Sequence, residues 1–198
     1  MKICVFASGS GTNFKAILES RKQGEIESDV GLLITNNSSC GAAEIAREEG
    51  IEVVHISRKV FPDLSSQDYS NLFISALEKN ETDLIVLAGY MKMLPEEVVK
   101  KYSNRIINIH PALLPKYGGK GMYGINVHKA VIENGERETG VSVHYVTENY
   151  DEGEIIYQER VPVNENETPE SLMERMKEVE HRVYPKVIKN LESNKHRS

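Results

Sequence analysis

The chain has 198 residues, of which 39% are apolar, and its 24 basic and 30 acidic residues give a formal charge of −6. This length suffices for one domain that needs no disulfide or structural metal. The basic residues are scattered along the chain, which argues against nucleic acid as substrate, because binding to a phosphate backbone requires clustered cations.

The cysteines and the apolar runs favour a cytoplasmic protein. Cys4 lies in an apolar run and Cys40 in a polar loop, and neither has partners at the spacing of a zinc site. No stretch approaches the roughly 18 apolar residues of a membrane span, and the chain enters a predicted strand directly, without a targeting segment. We therefore expect reduced thiols, no metal and no membrane contact.

Short runs rich in Val and Ile alternate with helical patterns before residue 110. Strands are predicted at 3–7, 30–34, 53–56, 84–88 and 106–109, and helices between them at 14–21, 42–49 and 69–77. Buried strands that alternate with helices are typical of a Rossmann-like α/β fold. We expect an open, mostly parallel twisted sheet with helices on both faces.

After residue 110 the strands and helices no longer alternate regularly. A glycine-rich loop at 117–124 leads into a helix that ends near Asn134, and strands are predicted at 141–147 and 154–161. A final helix begins with Thr168 as cap and Pro169 in its first turn, is disturbed at Pro185, and ends in a charged tail from Glu192 that is frayed over 193–198. The expected organisation is one domain over 1–198.

Segment 8–13, Ser-Gly-Ser-Gly-Thr-Asn, follows the first strand and opens the first helix. Glycines let the backbone approach an anion, and the free N–H groups and dipole of a helix N-terminus favour phosphate there. The alternative is a tight turn capped by Thr12. The segment lacks Gly-Lys-Ser/Thr, and Phe14 stands where a dinucleotide fingerprint needs glycine, so ATP and NAD are disfavoured.

Asn108 and His110 lie at the carboxyl end of a predicted strand, where open α/β sheets place their ligands. The two side chains point to the same side of the strand, and an amide beside an imidazole can stabilise an oxyanion and move a proton. The alternative is a capped strand end with a packed histidine. Asp151, in a later loop, either pairs with His110 or bonds to its own turn.

Other polar groups have plain structural interpretations. His55, His128, His144 and His196 have no partner at metal-ligand spacing, so packing or surface exposure is expected for each. Segment 90–94 reads as core packing that leads into a helix at Pro95. Glu180 and His181 read as a solvated helix face.

Five segments, in this order and spacing, resemble the glycinamide ribonucleotide formyltransferases from residue 2 to about residue 191. They are Ser-Gly-Ser-Gly-Thr-Asn at 8–13, Leu-Ala-Gly-Tyr-Met at 87–91, Asn-Ile-His-Pro-Ala-Leu-Leu-Pro at 108–115, Gly-Val-Ser-Val-His at 140–144 and Asp-Glu-Gly at 151–153. The third and fifth segments are typical of the wider folate-dependent formyltransferase superfamily. The first is typical of its ribonucleotide branch.

The resemblance implies an enzyme that transfers the formyl group of 10-formyltetrahydrofolate, a co-substrate, to the amine of glycinamide ribonucleotide in de novo purine biosynthesis. The amine attacks directly, without a metal, ATP or a covalent enzyme intermediate. A monomer or a homodimer is expected, with these two small molecules as partners.

The resemblance also assigns residues. It implies a nucleotide-binding half at about 1–110 and a folate-site half at about 111–192. Asn108, His110 and Asp151 are the implied catalytic residues, with Asp151 holding His110 protonated. The implied ribonucleotide site consists of Gly11, Thr12, Asn13 and Glu180, and the implied folate site of Met91, Lys92, Met93, Leu94, Asn108, Thr147, Glu148, Asn149 and Tyr150.

The chain departs from the family pattern in three places. Lys92 stands where an arginine is frequent, and Ser65-Ser66-Gln67 occupies a segment in which many relatives carry a folate-side arginine. The loop at 116–124 is longer and richer in glycine than in many relatives.

Three other functions would account for part of this pattern. A 10-formyltetrahydrofolate hydrolase shares the Asn/His/Asp centre but is expected to carry an N-terminal regulatory domain, for which this chain leaves no room before its first strand. A methionyl-tRNA formyltransferase needs a further C-terminal domain and a basic tRNA surface. A nucleotide-sensing module would use the glycine loop alone and leave the Asn/His/Asp set without a purpose.

Overall fold

A computed structural model describes residues 1–195 of the chain. It contains seven strands: β1 Lys2–Phe6, β2 Asp29–Thr35, β3 Glu52–His55, β4 Leu84–Leu87, β5 Ile106–His110, β6 Glu138–Tyr145 and β7 Ile155–Pro162. They form one sheet in the order β3-β2-β1-β4-β5-β6-β7. The first five strands are parallel, whereas β6 runs antiparallel to β5 and β7 antiparallel to β6.

Helices cover both faces of the sheet, as predicted. They are α1 Thr12–Lys22, α2 Gly41–Glu48, α3 Ser66–Lys79, α4 Glu96–Lys101, α5 Ile125–Glu133 and α6 Pro169–Lys195. Successive residues of β1 point to opposite faces. Ile3 and Val5 therefore belong to the core under α1, α2 and α6, while Cys4 and Phe6 belong to the core under α3 and α4. The Rossmann-like α/β prediction is confirmed.

The final helix differs from its prediction at two points. Its start is as expected, because Thr168 Oγ1 accepts a hydrogen bond from Ser171 N at 3.2 Å. Pro185, however, does not interrupt it, and α6 continues to Lys195.

The prediction of a frayed tail is wrong for residues 193–195, which are the last residues of the helix. Residues 196–198, with His196, lie outside the described part of the chain. Glu192 is buried, and its carboxylate accepts from Ser28 N at 2.5 Å and from Glu27 N at 3.2 Å. This contact fixes the end of α6 to the turn before β2.

The strand order places a functional site. From β1 the chain builds outward to β2 and β3, and then returns to the other side of β1 with β4. At such a switch point the loops that leave two neighbouring strands diverge and open a crevice beyond their carboxyl ends. The loops after β1 and β4 and the carboxyl end of β5 carry many of the predicted site residues.

In residues 1–195, none of the helices combines the length and apolar character required to cross a membrane.

The Glu192 contact predicts a stability effect far from the cleft. Glu192→Ala removes the acceptor of an enclosed main-chain donor at Ser28, so the free energy of unfolding should fall by about 1–3 kcal/mol. Urea denaturation measures this change. Glu178→Ala, at an exposed position of the same helix, is the matched control and should stay within about 0.5 kcal/mol of the parent. Equal stability of the two variants would show that the carboxylate does not anchor the helix.

Candidate active site

A cleft of about 960 Å³ opens at the carboxyl ends of the central strands. All the site residues named from the sequence line it: Gly11, Thr12, Asn13, Met91, Lys92, Met93, Leu94, Asn108, His110, Thr147, Glu148, Asn149, Tyr150, Asp151 and Glu180. They come from the loops after β1 and β4, from β5, from the β6–β7 connection and from α6. The fold therefore gathers segments that are distant in the sequence into one cavity.

The glycine loop forms the end of the cleft at the N-terminus of α1. Gly11 occupies the N-cap position with φ of 77°, and within residues 1–195 no side chain caps this helix. The alternative of a turn capped by Thr12 is therefore wrong. The first N–H groups of α1 remain available to an anion, which the helix dipole also favours.

Close packing against α2 fixes the shape of this loop. A Cβ atom on Gly11 would lie 2.6 Å from Ala42 Cα, and one on Gly41 would lie 2.7 Å from Ser10 O. Ala42 N also donates to Gly9 O at 3.1 Å. The loop thus has little freedom to accept a side chain at either glycine.

Glu180 faces the same end of the cleft. Its Oε2 accepts a hydrogen bond from Asn13 Nδ2 at 2.6 Å. Burial raises the pKa of Glu180, and the bond from Asn13 lowers it by a smaller amount. Lys177, one helical turn earlier, also lines the cleft. The interpretation of Glu180 as part of a solvated face is wrong.

Asn108 and His144 lie directly opposite each other in the antiparallel pairing of β5 with β6. Asn108 Nδ2 is 3.2 Å from His144 Nε2, and His144 Nδ1 is 2.8 Å from Tyr145 O. Because the carbonyl can only accept, His144 Nδ1 carries a proton, and Nε2 faces both the Asn108 amide and the Asp151 carboxylate. The cross-strand contact thus orients Asn108.

His110 is buried and held by the glycine-rich loop. Its Nε2 donates to Tyr117 O at 2.7 Å, and its Nδ1 lies 3.7 Å from Asp151 Oδ2. Burial lowers the pKa of His110, and this effect outweighs Asp151 and the Tyr117 carbonyl, which raise it. Asp151 thus acts in the direction that the resemblance implies, whereas burial shifts the pKa of His110 the other way.

Asp151 lies between the two histidines. Its Oδ2 accepts from Gly119 N at 2.9 Å, and its Oδ1 lies 3.5 Å from His144 Nε2. Burial raises the pKa of Asp151. The contact with His144 and the hydrogen bond from the Gly119 amide lower it by a larger amount in total, so the net shift is downward. The carboxylate is therefore ionised at neutral pH, and its bonds reach across the site, not to its own turn.

Close packing against β6 explains the glycine at the end of the Asp-Glu-Gly segment, 151–153. A Cβ atom at Gly153 would lie 1.7 Å from Tyr145 O. Only glycine permits this close approach of the two chain segments, which brings Asp151 against β6.

The glycine-rich loop belongs to the site. Tyr117 supplies a carbonyl to His110 and Gly119 an amide to Asp151. Met122 and Tyr123, from the same loop, line the cleft. The main chain of the loop thus positions both groups.

Several exposed apolar side chains also line the cleft: Met91, Met93, Tyr123 and Tyr150, which are 45–57% exposed. The prediction that segment 90–94 packs in the core is therefore wrong for Met91 and Met93. The helix predicted after Pro95 is present as α4. Exposed apolar groups that share one cavity indicate a ligand with an apolar surface.

Three of the polar residues that line the cleft, His128, His144 and Lys177, were not assigned to the site from the sequence. His144 and Lys177 are described above. His128 is also buried, lines the cleft, and has its pKa lowered to about 4, mainly by burial and then by His110. For His144 a signal existed, because it ends the Gly-Val-Ser-Val-His segment. Lys177 lies three residues before Glu180, but nothing local distinguished it from a surface lysine.

The structure shows where two of the departures from the family pattern, at Ser65 and Lys92, lie. Ser65 caps α3 by accepting from Asp68 N at 3.0 Å. Arg58, a few residues earlier, lies over the Tyr69 ring at 4.0 Å. Lys92 lines the cleft. Across residues 1–195, no group of three or more His, Cys, Asp or Glu side chains could hold a metal ion.

The Asp151 contact predicts a shift in the titration of His110. Asp151→Asn removes the nearest charge that favours the imidazolium, so the pKa of His110 should fall further below its ordinary value. An NMR titration of the His110 ring in both proteins measures it. Glu152→Gln removes the same charge from a neighbouring residue that bonds to Asn149, and it should leave the midpoint unchanged. An unchanged midpoint in the Asp151 variant would show that Asp151 does not affect the protonation of His110.

Known proteins resemble this chain over most of its length. Residues 1–188 match the family model described as formyl transferase. The chain is 46% identical to the chloroplastic phosphoribosylglycinamide formyltransferase of Arabidopsis thaliana over 94% of this chain and 64% of that one. It thus spans a little under two thirds of the length of that relative.

Solved structures show the same similarity. The crystal structure of phosphoribosylglycinamide formyltransferase from Bacillus halodurans superposes with a TM-score of 0.88 at 37% identity, over 96% of this chain and 95% of that one. A formyltetrahydrofolate deformylase from Pseudomonas syringae, at 22% identity and a TM-score of 0.81 over 95% of this chain and 60% of that one, shares the fold alone. The chain belongs to the formyl transferase family.

Proposed function

We propose that the protein transfers the formyl group of 10-formyltetrahydrofolate to the amine of glycinamide ribonucleotide in de novo purine biosynthesis. The products are formylglycinamide ribonucleotide and tetrahydrofolate. The observation that carries the proposal is the single cleft in which an uncapped helix N-terminus, an Asn/His/Asp centre and exposed apolar side chains lie together. The names of the similar proteins from Arabidopsis thaliana and Bacillus halodurans support the choice of substrates.

The ribonucleotide phosphate fits the N-terminus of α1. Gly11, Thr12 and Asn13 supply main-chain N–H groups, and Lys177 adds a cation on the facing helix. Glu180, already bonded to Asn13, has a further carboxylate oxygen for a hydroxyl or amine of the substrate. In this binding mode the phosphate would lie at one end of the cleft and the amine would point towards β5.

The formylfolate fits the other end of the cleft. Segment 91–94 and residues Thr147, Glu148, Asn149 and Tyr150 form its walls, and Lys92 lies there as a cation for a carboxylate. The flat pterin ring system would cover the exposed apolar side chains of the cleft. Its formyl group would then lie near Asn108.

The reaction joins these two ends. The amine nitrogen attacks the formyl carbon, the carbonyl oxygen becomes negative, and the Asn108 amide and the His110 ring stabilise that charge. The bond from the formyl carbon to the folate nitrogen then breaks, and the carbonyl reforms. The folate nitrogen takes the proton that the amine has lost, so the overall charge is unchanged.

Neutral His110 suits the transfer of that proton. A ring whose pKa is lowered by burial can accept a proton from the attacking amine, and the resulting imidazolium lies beside ionised Asp151. The proton then passes to the leaving nitrogen. Asp151 thereby stabilises the charged form of His110 when it is needed.

The chemistry requires neither ATP nor a metal, and the proposal includes none. The cytoplasm remains the proposed location.

A product assay separates transfer from hydrolysis. The protein is incubated with 10-formyltetrahydrofolate, with and without glycinamide ribonucleotide, and both folate and ribonucleotide products are measured. Formylated ribonucleotide in equal amount to tetrahydrofolate, with little tetrahydrofolate in its absence, supports the proposal. Tetrahydrofolate formed at the same rate without the ribonucleotide would establish the hydrolase alternative.

The oxyanion role of two residues predicts a loss of turnover. His110→Ala and Asn108→Ala should each lower kcat by about 10²–10³-fold, since the Asn108 amide donates to the developing charge and His110, once protonated, stabilises it. The KM for the ribonucleotide should change far less. His55→Ala, a histidine on the distant edge strand β3, is the control and should keep the parental kcat. Near-parental turnover in either active-site variant, with the fold verified by circular dichroism, would remove that residue from the mechanism.

The phosphate position predicts a local response to inorganic phosphate. Amide NMR signals of Gly11, Thr12 and Asn13 should shift as phosphate is added, and Gly11→Ala should abolish these shifts by displacing the loop. Gly24→Ala is the matched control, because Gly24 has a similar φ of 75° but nothing within 4 Å of its Cβ position. Shifts centred elsewhere, or an equal loss in the Gly24 variant, would contradict the assignment.

A further inference from the structure

Ser8 connects the two ends of the cleft. Its main-chain N–H donates to Gly89 O at 3.1 Å, and its Oγ accepts from Met91 N at 2.9 Å. The same Oγ donates to Asn36 Oδ1 at 2.5 Å. A single residue thus bonds to the segments that follow β2 and β4 while it begins the loop that follows β1.

The direction of these bonds is fixed by the chemistry of the groups. Met91 N–H can only donate, so Ser8 Oγ accepts from it and keeps its own hydrogen for another partner. Asn36 accepts that hydrogen through its side-chain oxygen. The bonds from Met91 through Ser8 to Asn36 therefore form a continuous chain, and hydrogen bonds in such a chain strengthen one another.

The location of this chain matters for a reaction between two ligands. One residue after Ser8, segment 9–13 begins to line the cleft where the phosphate is proposed to bind, and segment 91–94 lines it where the folate is proposed to bind. Ser8 itself is half-buried and lies at the switch point between β1 and β4. Ser8 therefore precedes one of these loops directly and bonds to the other.

Bimolecular transfer is sensitive to that distance. An enzyme gains rate by holding the reacting atoms about 3–3.5 Å apart, and a displacement of about 1 Å can reduce the rate about 10²-fold. A shift of the Met91 main chain relative to the phosphate loop would separate the formyl carbon from the amine, although each ligand would keep its own contacts.

We propose that Ser8 is a positioning residue that holds the phosphate loop and the Met91 main chain in register, so that the two bound substrates meet. This inference rests on the proposed function, because it concerns the transfer between those substrates. Ser8 needs no contact with either ligand for this role.

The role predicts a division between binding and turnover. Ser8→Ala removes both hydroxyl bonds and should lower kcat about tenfold to 100-fold, while the Kd of each substrate measured alone changes less than about threefold. Asn36→Ala leaves Ser8 Oγ able to accept from Met91 N, so its loss of kcat should be smaller. Ser38→Ala, an exposed serine near Asn36, is the control and should match the parent.

Calorimetry for the two Kd values, steady-state kinetics for kcat and a thermal melt for each variant give the readouts. An unchanged kcat in Ser8→Ala would overturn the role, and so would a raised Kd for the ribonucleotide alone with kcat unchanged. If Ser8→Ala does not fold, Asn36→Ala decides: a lowered kcat with unchanged Kd values supports the role, and parental kinetics overturn it. Failure of the parent protein to form formylated ribonucleotide would instead overturn the proposed function.

Discussion

The antiparallel pairing of β5 with β6 is the constraint on which the rest of the site depends. Its register sets Asn108 against His144 and His110 against Ser142. A shift by one residue would turn the side chains of one strand to the other face of the sheet. With the register fixed, the β6–β7 connection needs only the close turn at Gly153 to bring Asp151 to both histidines. The parallel strands then supply the two binding loops.

Burial and charge act against each other at this centre, and their balance suits a proton transfer. Burial disfavours the charged form of His110, whereas Asp151 favours it. Asp151 remains ionised because the Gly119 amide and the histidines offset its own burial. A ring that is neutral at rest, next to a fixed negative charge, can accept a proton and release it again within one turnover. A permanently charged ring could not take the first proton.

Much of the architecture follows from local patterns, whereas the finer features depend on contacts across the fold. Apolar runs and glycine turns predicted the strands and the anion loop, because those signals are contained in neighbouring residues. The proximity of Asp151 to His110 required the family resemblance, and the part played by His144 required the strand register. The tail was misjudged because Glu192 finds its partners at Glu27 and Ser28, which are far away in the sequence. The lowered pKa of His110 could not be predicted from local sequence, because burial is a property of the folded state.

A crystal structure of the protein with glycinamide ribonucleotide and a non-reactive analogue of 10-formyltetrahydrofolate tests the account most directly. The account predicts the phosphate at Gly11, Thr12 and Asn13, and the amine nitrogen about 3–3.5 Å from the carbon that represents the formyl group. The oxygen on that carbon should lie within hydrogen-bond distance of Asn108 or His110. A phosphate bound elsewhere in the cleft, or an amine directed away from Asn108 and His110, would contradict it.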